Sequence, residues 1–422
     1  MEYKKIINEL KDLVYAWDNV AQICDYMILW AVLWDASDIH IEPLSSFVRL
    51  RYRIDGELKE ILEYQSFLHD SIVARFKILS DLKIDESRIP QDWRISKTIE
   101  EKPLDLRVST LPTVQWEKIV MRIVDKSKKI PKLEDLWIEW KNLDIIKKAI
   151  ELPNWVVLTS GPTWSGKSTT LYAALTLLNK EDVNIMTLED PVENQVDGIN
   201  QSQVKPQIWY TFASWLRTAL RQDPDIIMVW EMRDKETVEI AIEASLTWHL
   251  VLSTIHTNSA AETLTRVIQM WIQPFLIPAS FNAVIAQRLL RRLCPHCMKK
   301  IWLNELDKDT LDNIKSAIKA TDKKELTQRV WEEKLAKPSF YEAVWCEKCD
   351  NSWYKWRVWL YEVLEMTDWV KQMVLAWESA FNINRQAIKD WMISLEQDWI
   401  IKALNWLTSL AEVYSVAKTQ NN

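Results

Sequence analysis

An apolar run, VVLTS at 156–160, leads directly into GPTWSGKST, and the positions after it, to about Asn179, carry a helical pattern. This feature constrains the fold more than any other. The spacing G-x-x-x-x-G-K-[ST] between a buried strand and a helix marks a loop whose backbone N–H groups wrap phosphate oxygens. The candidate cradle is Gly161, Pro162, Thr163, Trp164, Ser165, Gly166, Lys167, Ser168 and Thr169. Lys167 is expected to reach the β- and γ-phosphates of a nucleotide and Ser168 to hold Mg²⁺, while the helix N-terminus adds its dipole. One residue is out of place, because Trp164 brings an indole into a loop that works by keeping side chains away from the ligand.

Three further short apolar runs, NIMTL, DIIMV and LVLSTI, alternate with helical segments. Buried strands alternating with helices imply an α/β fold, a parallel sheet covered on both faces with its ligand at the carboxyl ends of the strands. DIIMVWEMRD ends in Glu231, where a carboxylate can polarise an attacking water, whereas Asp225 opens that strand and faces the opposite end. His256 follows LVLSTI on the ligand side, placed to sense a γ-phosphate. His249 precedes the strand at the far end and reads equally well as structural. Glu189, Asp190 and Glu193 stand in a turn after another strand, positioned as secondary ligands near Mg²⁺, although alone they also read as a solvated loop.

The expected domain order is an N-terminal helical segment over 1–20, a smaller α+β domain over 21–125, a charged linker over 126–144, and an α/β domain carrying the phosphate loop over 145–422. In the small domain ASDIHIEP and FVRLRYRIDGELKEI alternate apolar and polar residues as hairpin strands do, with Asp55-Gly56 as the turn. From about Pro278 the chain reads as helical around a cysteine-bearing insertion at 290–360. No signal peptide and no run of about 18 uncharged apolar residues is present, so the reading is cytoplasmic. A net charge of −7 with pI near 5.5 argues against nucleic acid as the main ligand.

Cys294 and Cys297 form CPHC, and Cys346 and Cys349 form CEKC. Thiolate pairs at this spacing suit tetrahedral Zn²⁺, with free thiols or a redox pair as the alternative.

The chain has 4 glycines and 25 tryptophans. Together they fill about 7% of the sequence, which is the average usage of glycine alone. Asp or Asn directly precedes Trp93, Trp155, Trp369, Trp391, Trp399 and Trp406, as it precedes glycine in ordinary turns. The tryptophans follow neither a 2.0 nor a 3.6 period, which is unlike an aromatic binding stripe. The expectation is that UGA codons meaning glycine in the source have been written as tryptophan.

With Trp read as Gly, the blocks ASDIHIEP, RIPQDWR, DLRVSTLPTVQWEKIVMR, GPTWSGKSTTLY, LEDPVE, LRQDPDIIMVWEMRD and TWHLVLSTIHTN resemble, in order, those of the type II/type IV secretion and pilus ATPase family. The resemblance implies a RecA-like P-loop domain behind a PAS-like one, and a homo-hexamer hydrolysing ATP to drive pilus or pseudopilus assembly. It implies an inner-membrane platform protein as partner, with membrane contact only through such partners at the inner face of the cytoplasmic membrane. It places Glu189 in an Asp box, Glu231 in Walker B, and His249 and His256 in a His box. It also assigns Arg107 and Arg122, otherwise plain strand arginines, to the nucleotide. The cysteine set implies the assembly branch rather than the retraction motors. The family's additional N-terminal docking domain is not matched in this sequence. If the tryptophans are genuine, the alternative is a nucleotide-dead scaffold or zinc interaction module.

Overall fold

The computed structural model describes residues 19–412 apart from positions 100, 128, 206–207, 322, 331–333, 336, 345, 347–348 and 350–352. The helix expected over 1–20 lies almost wholly outside them. The chain divides into two compact units, Met1–Lys129 and Ile130–Asn422.

In the first unit, α1 (Val20–Leu33) and α2 (His69–Leu79) accompany a six-stranded antiparallel sheet ordered β3-β2-β1-β6-β5-β4. Its strands are β1 (Asp38–Pro43), β2 (Phe47–Ile54), β3 (Glu57–Gln65), β4 (Gln91–Ile99), β5 (Lys102–Pro112) and β6 (Glu117–Asp125). Val48, Leu50 and Tyr52 of β2 are buried at alternate positions, as a strand with one face on a core requires. The β2–β3 turn is Asp55-Gly56 at φ 51° and 89°, so both residues take the positive φ that a tight hairpin needs.

The second unit holds a seven-stranded sheet ordered β15-β12-β7-β11-β10-β8-β9. Its inner strands β7 (Val156–Ser160), β10 (Ile226–Val229) and β11 (Leu250–Ile255) are buried along their whole length. They run parallel to β8 (Ile185–Glu189), β9 (Asn200–Gln203) and β12 (Phe281–Leu293), while β15 (Tyr354–Glu365) adds antiparallel to β12. Around the sheet lie α3 (Trp140–Glu151), α4 (Lys167–Leu178), α5 (Phe212–Ala219), α6 (Lys235–Leu246), α7 (Ala260–Gln269) and the short α8 (Leu276–Ser280). This is the mixed α/β architecture the strand and helix alternation implies.

Two expectations are corrected. The segment 126–144 is not linker beyond residue 129: Leu133, Leu136 and Ile138 are buried in the second unit's core, and α3 begins at Trp140. The region after Pro278 is not mainly helical at its start. FNAVIAQRLLRRL forms the 13-residue strand β12, because its apolar residues are buried on both faces of the sheet and periodicity alone cannot separate such a strand from a buried helix.

Between β12 and β15 the insertion contains a two-stranded sheet, β13 (Met298–Trp302) with β14 (Ser339–Ala343), and helices α9 (Lys308–Ala320) and α10 (Lys323–Arg329). The chain then continues through α11 (Asp368–Leu375), α12 (Ala380–Lys389) and α13 (Leu395–Leu404). A buried ion cluster ties these parts together. Asp398 accepts from Arg329 at 3.2 Å, from Lys402 at 2.6 Å and from the Tyr361 backbone N–H at 2.9 Å. Each buried charge is therefore paired, which the low-dielectric interior demands. No helix among the described residues is long and apolar enough to cross a membrane.

Candidate functional site

Parallel strands deliver their following loops to one end of the sheet, and the strand order decides which loops meet. β11 lies between β7 and β10, so the residue leaving β11 must fall between the loops leaving the other two. The structure shows this. His256 Nε2 is 3.3 Å from Glu231 Oε1 at the end of β10, and the ring lies beside the Gly161 backbone at the end of β7. Glu231 is 9% exposed, and its second oxygen accepts from Arg233 Nε at 2.7 Å.

The phosphate loop joins β7 to α4. Gly161, Trp164 and Gly166 have φ of 151°, 70° and 84°, so three of its residues lie on the positive side that suits glycine. No side chain caps α4, leaving its first backbone N–H groups available to an anion. Lys167 folds back over the loop and donates to the carbonyls of Gly161 at 2.7 Å and Pro162 at 3.0 Å. Burial pushes its pKa down to about 8, helped by the Arg288 charge and opposed by Glu231. Burial and the nearby Lys167 charge likewise lower His256, which keeps its imidazole neutral near pH 7.

Glu189, at the end of β8, is fully buried and enclosed by donors. The Tyr172 hydroxyl of α4 bonds one oxygen, while Thr187 Oγ1 at 2.7 Å and Gln201 Nε2 at 2.9 Å bond the other. Burial raises its pKa, with these donors acting in the opposite sense. Asp190 is exposed beyond it. Asp225 and His249 sit at the other end of the sheet. Asp225 accepts from the Asn184 N–H at 2.7 Å, and His249 Nδ1 is 2.9 Å from the Ala244 carbonyl. Arg107 and Arg122 belong to the first unit, where they are directly opposed on β5 and β6, and Arg122 pairs with Asp38 at 3.2 Å.

Two residues to which the sequence reading gave no place in this site hold the loops in place. β12 neighbours β7 with Ala286 opposite Ser160, which brings Gln287 level with the phosphate loop. Its Nε2 donates to the Ser165 carbonyl at 2.8 Å. Arg288 then donates to the Asn258 carbonyl at 2.8 Å, fixing the loop that carries His256. The sequence signal is the Gln-Arg pair inside the apolar stretch AVIAQRLL, and both residues are buried in the structure.

The cysteine pairs meet because they flank neighbouring strands. Cys294 follows β12, Cys346 and Cys349 precede β15, and Leu293 is opposite Tyr354. The four sulfurs lie within 4.8 Å of one another, with Cys294–Cys346 at 4.0 Å, Cys297–Cys349 at 3.7 Å and Cys346–Cys349 at 3.5 Å. Four thiolates about 2.3 Å from one tetrahedral ion stand roughly 3.8 Å apart, so the set fits such an ion.

A family model described as Type II/IV secretion system protein matches residues 17–415. The Type IV pilus assembly ATPase PilB of Myxococcus xanthus is 42% identical over 395 residues, covering 93% of this chain and 67% of that protein. The Type II secretion system protein E of Aeromonas hydrophila is 40% identical over 423 residues, covering 99% and 80%. Among solved structures, the Legionella pneumophila ATPase DotB superposes with a TM-score of 0.65 at 21% identity, over 94% of this chain and 95% of that one. The pilus retraction motor PilT gives 0.56 at 22%, over 89% and 95%. These two likenesses concern the fold.

Proposed function

The chain belongs to the Type II/IV secretion system protein family and is a P-loop ATPase, and on that premise we propose that it hydrolyses ATP to power assembly of a type IV pilus or a type II secretion pseudopilus. The observation carrying the reading is the meeting of the Gly161–Lys167 loop, His256 and Glu231 at one end of a parallel sheet. In this reading the loop N–H groups and the α4 N-terminus bind the β- and γ-phosphates, and Lys167 turns from its carbonyl partners to their charge. Glu231 orients and deprotonates the attacking water. His256, a neutral imidazole lying beside both Gly161 and Glu231, links the phosphate loop to that carboxylate. Ser168, at the uncapped start of α4, would hold Mg²⁺, which neutralises charge on the phosphates.

Glu189 acts through Tyr172: its buried network fixes β8 to α4, with metal contact confined to more exposed neighbours. Arg107 and Arg122 supply positive charge to nucleotide in the working assembly, a homo-hexamer seated on an inner-membrane platform protein at the cytoplasmic face. Cys294, Cys297, Cys346 and Cys349 hold one structural Zn²⁺ that closes the β12–β15 insertion. The test is ATP turnover with Mg²⁺ by the chain purified from its source, beside a glycine-coded Lys167→Ala variant. Turnover that is lost with Lys167 supports the reading, and turnover unchanged by the substitution would refute it.

A further inference from the structure

We propose that the positions written as tryptophan are glycine in the cell that makes this protein, UGA being read there as glycine. The backbone carries this independently of the nucleotide site. Among the described residues, 17 positions other than glycine have a left-handed φ, and 11 of them are tryptophan. The other six are four Asp, one Asn and one Glu. Asp and Asn tolerate that region because their short side chains bond locally, whereas a bulky residue there is an outlier. All four glycines present also have positive φ.

Helix ends sharpen the argument. α6, α7, α11, α12 and α13 are each followed, one residue past the cap, by Trp248, Trp271, Trp377, Trp391 and Trp406, at φ between 58° and 72°. At three of them the full double hydrogen bond of a Schellman end is present. The N–H groups of Trp377, Trp391 and Trp406 donate to Val374, Ile388 and Ala403, and those of Glu378, Met392 and Leu407 reach back to Met373, Ala387 and Lys402. Glycine is the usual occupant of that position, since it alone reaches the conformation without a Cβ penalty.

The indoles gain little in return. Trp248, Trp271 and Trp377 are 73%, 82% and 66% exposed. Trp30 and Trp359 instead bury an indole N–H that finds no acceptor among the described residues, a cost that native interiors avoid. Trp359 also presses its ring on Gly166, and Trp164 stands in the phosphate cradle itself at φ 70°. Glycine at 164 and 359 removes both obstacles from the loop.

Two readings test the proposal: the coding DNA, and tandem mass spectrometry of the native chain across positions 164, 271 and 391. The expected result is UGA at the 25 codons and peptides reading Gly, each lighter by the indolylmethyl group that glycine lacks. UGG codons, or native peptides carrying tryptophan at any of these three positions, would overturn it. Neither readout depends on ATP turnover, so failure of this proposal can be told apart from failure of the ATPase reading.

Discussion

Replacing Trp271 by glycine should stabilise the chain made with tryptophan, although it deletes a large side chain. Trp271 follows α7, holds φ at 65° and is 82% exposed. For an L-residue, the left-handed conformation costs about 1–2 kcal/mol because Cβ crowds the next carbonyl. Glycine escapes that strain but loses about 0.5–1 kcal/mol through the greater freedom of its unfolded backbone. Burying a large apolar side chain completely contributes about 1.5–3 kcal/mol, and this indole is four-fifths exposed, so little burial is forfeited. With about 0.3–0.6 kcal/mol of burial forfeited, the balance is a few tenths of a kcal/mol in favour of glycine. Trp271→Ala separates the causes, since it removes the indole and keeps Cβ, and no gain is expected. Urea denaturation of recombinant chains reads the difference as a midpoint shift at constant slope. Equal midpoints for Gly and Ala, or a lower one for Gly than for Trp, would refute the strain argument.

In the ligand-free chain, Lys167 has its pKa depressed to about 8 by burial, so between that value and the ordinary lysine range the unfolded chain binds more protons than the folded one. Stability therefore gains with rising pH through that window, and pH-dependent denaturation should show this contribution vanish in Lys167→Met. Gln287→Leu, which removes the 2.8 Å bond to Ser165, should raise KM for ATP more than it lowers kcat, because the cradle is formed before chemistry; an unchanged KM would contradict that role. Chelation or Cys297→Ser should release one zinc per chain and lower the thermal stability of the insertion, read by metal analysis and calorimetry. A protein purified without chelator that holds no zinc and has Cys294, Cys297, Cys346 and Cys349 as free thiols would count against the site.

The sequence displayed the site where neighbouring residues suffice to define it. The phosphate loop announces itself through a strand before and a helix after, and Glu231 and His256 through their position just past buried strands. What it hid depends on partners distant along the chain. Glu189 reads as an open acid until Tyr172 and Gln201 are seen to enclose it. Gln287 matters only because β12 lies beside β7, a pairing no local pattern specifies. β12 itself was read as helical because burial on both faces erases the alternation that identifies a strand.

The measurement closest to the centre of this account is ATP binding and turnover by Glu231→Gln, in the glycine-coded protein with Mg²⁺. Glu231 is 9% exposed and lies beside His256 at the end of β10, where the proposed reading has it activate water. ATP affinity should stay close to that of the parent, while turnover falls by about 10²–10⁴-fold, the usual contribution of a positioned general base. Turnover equal to the parent's, or loss of ATP binding with it, would contradict the assignment.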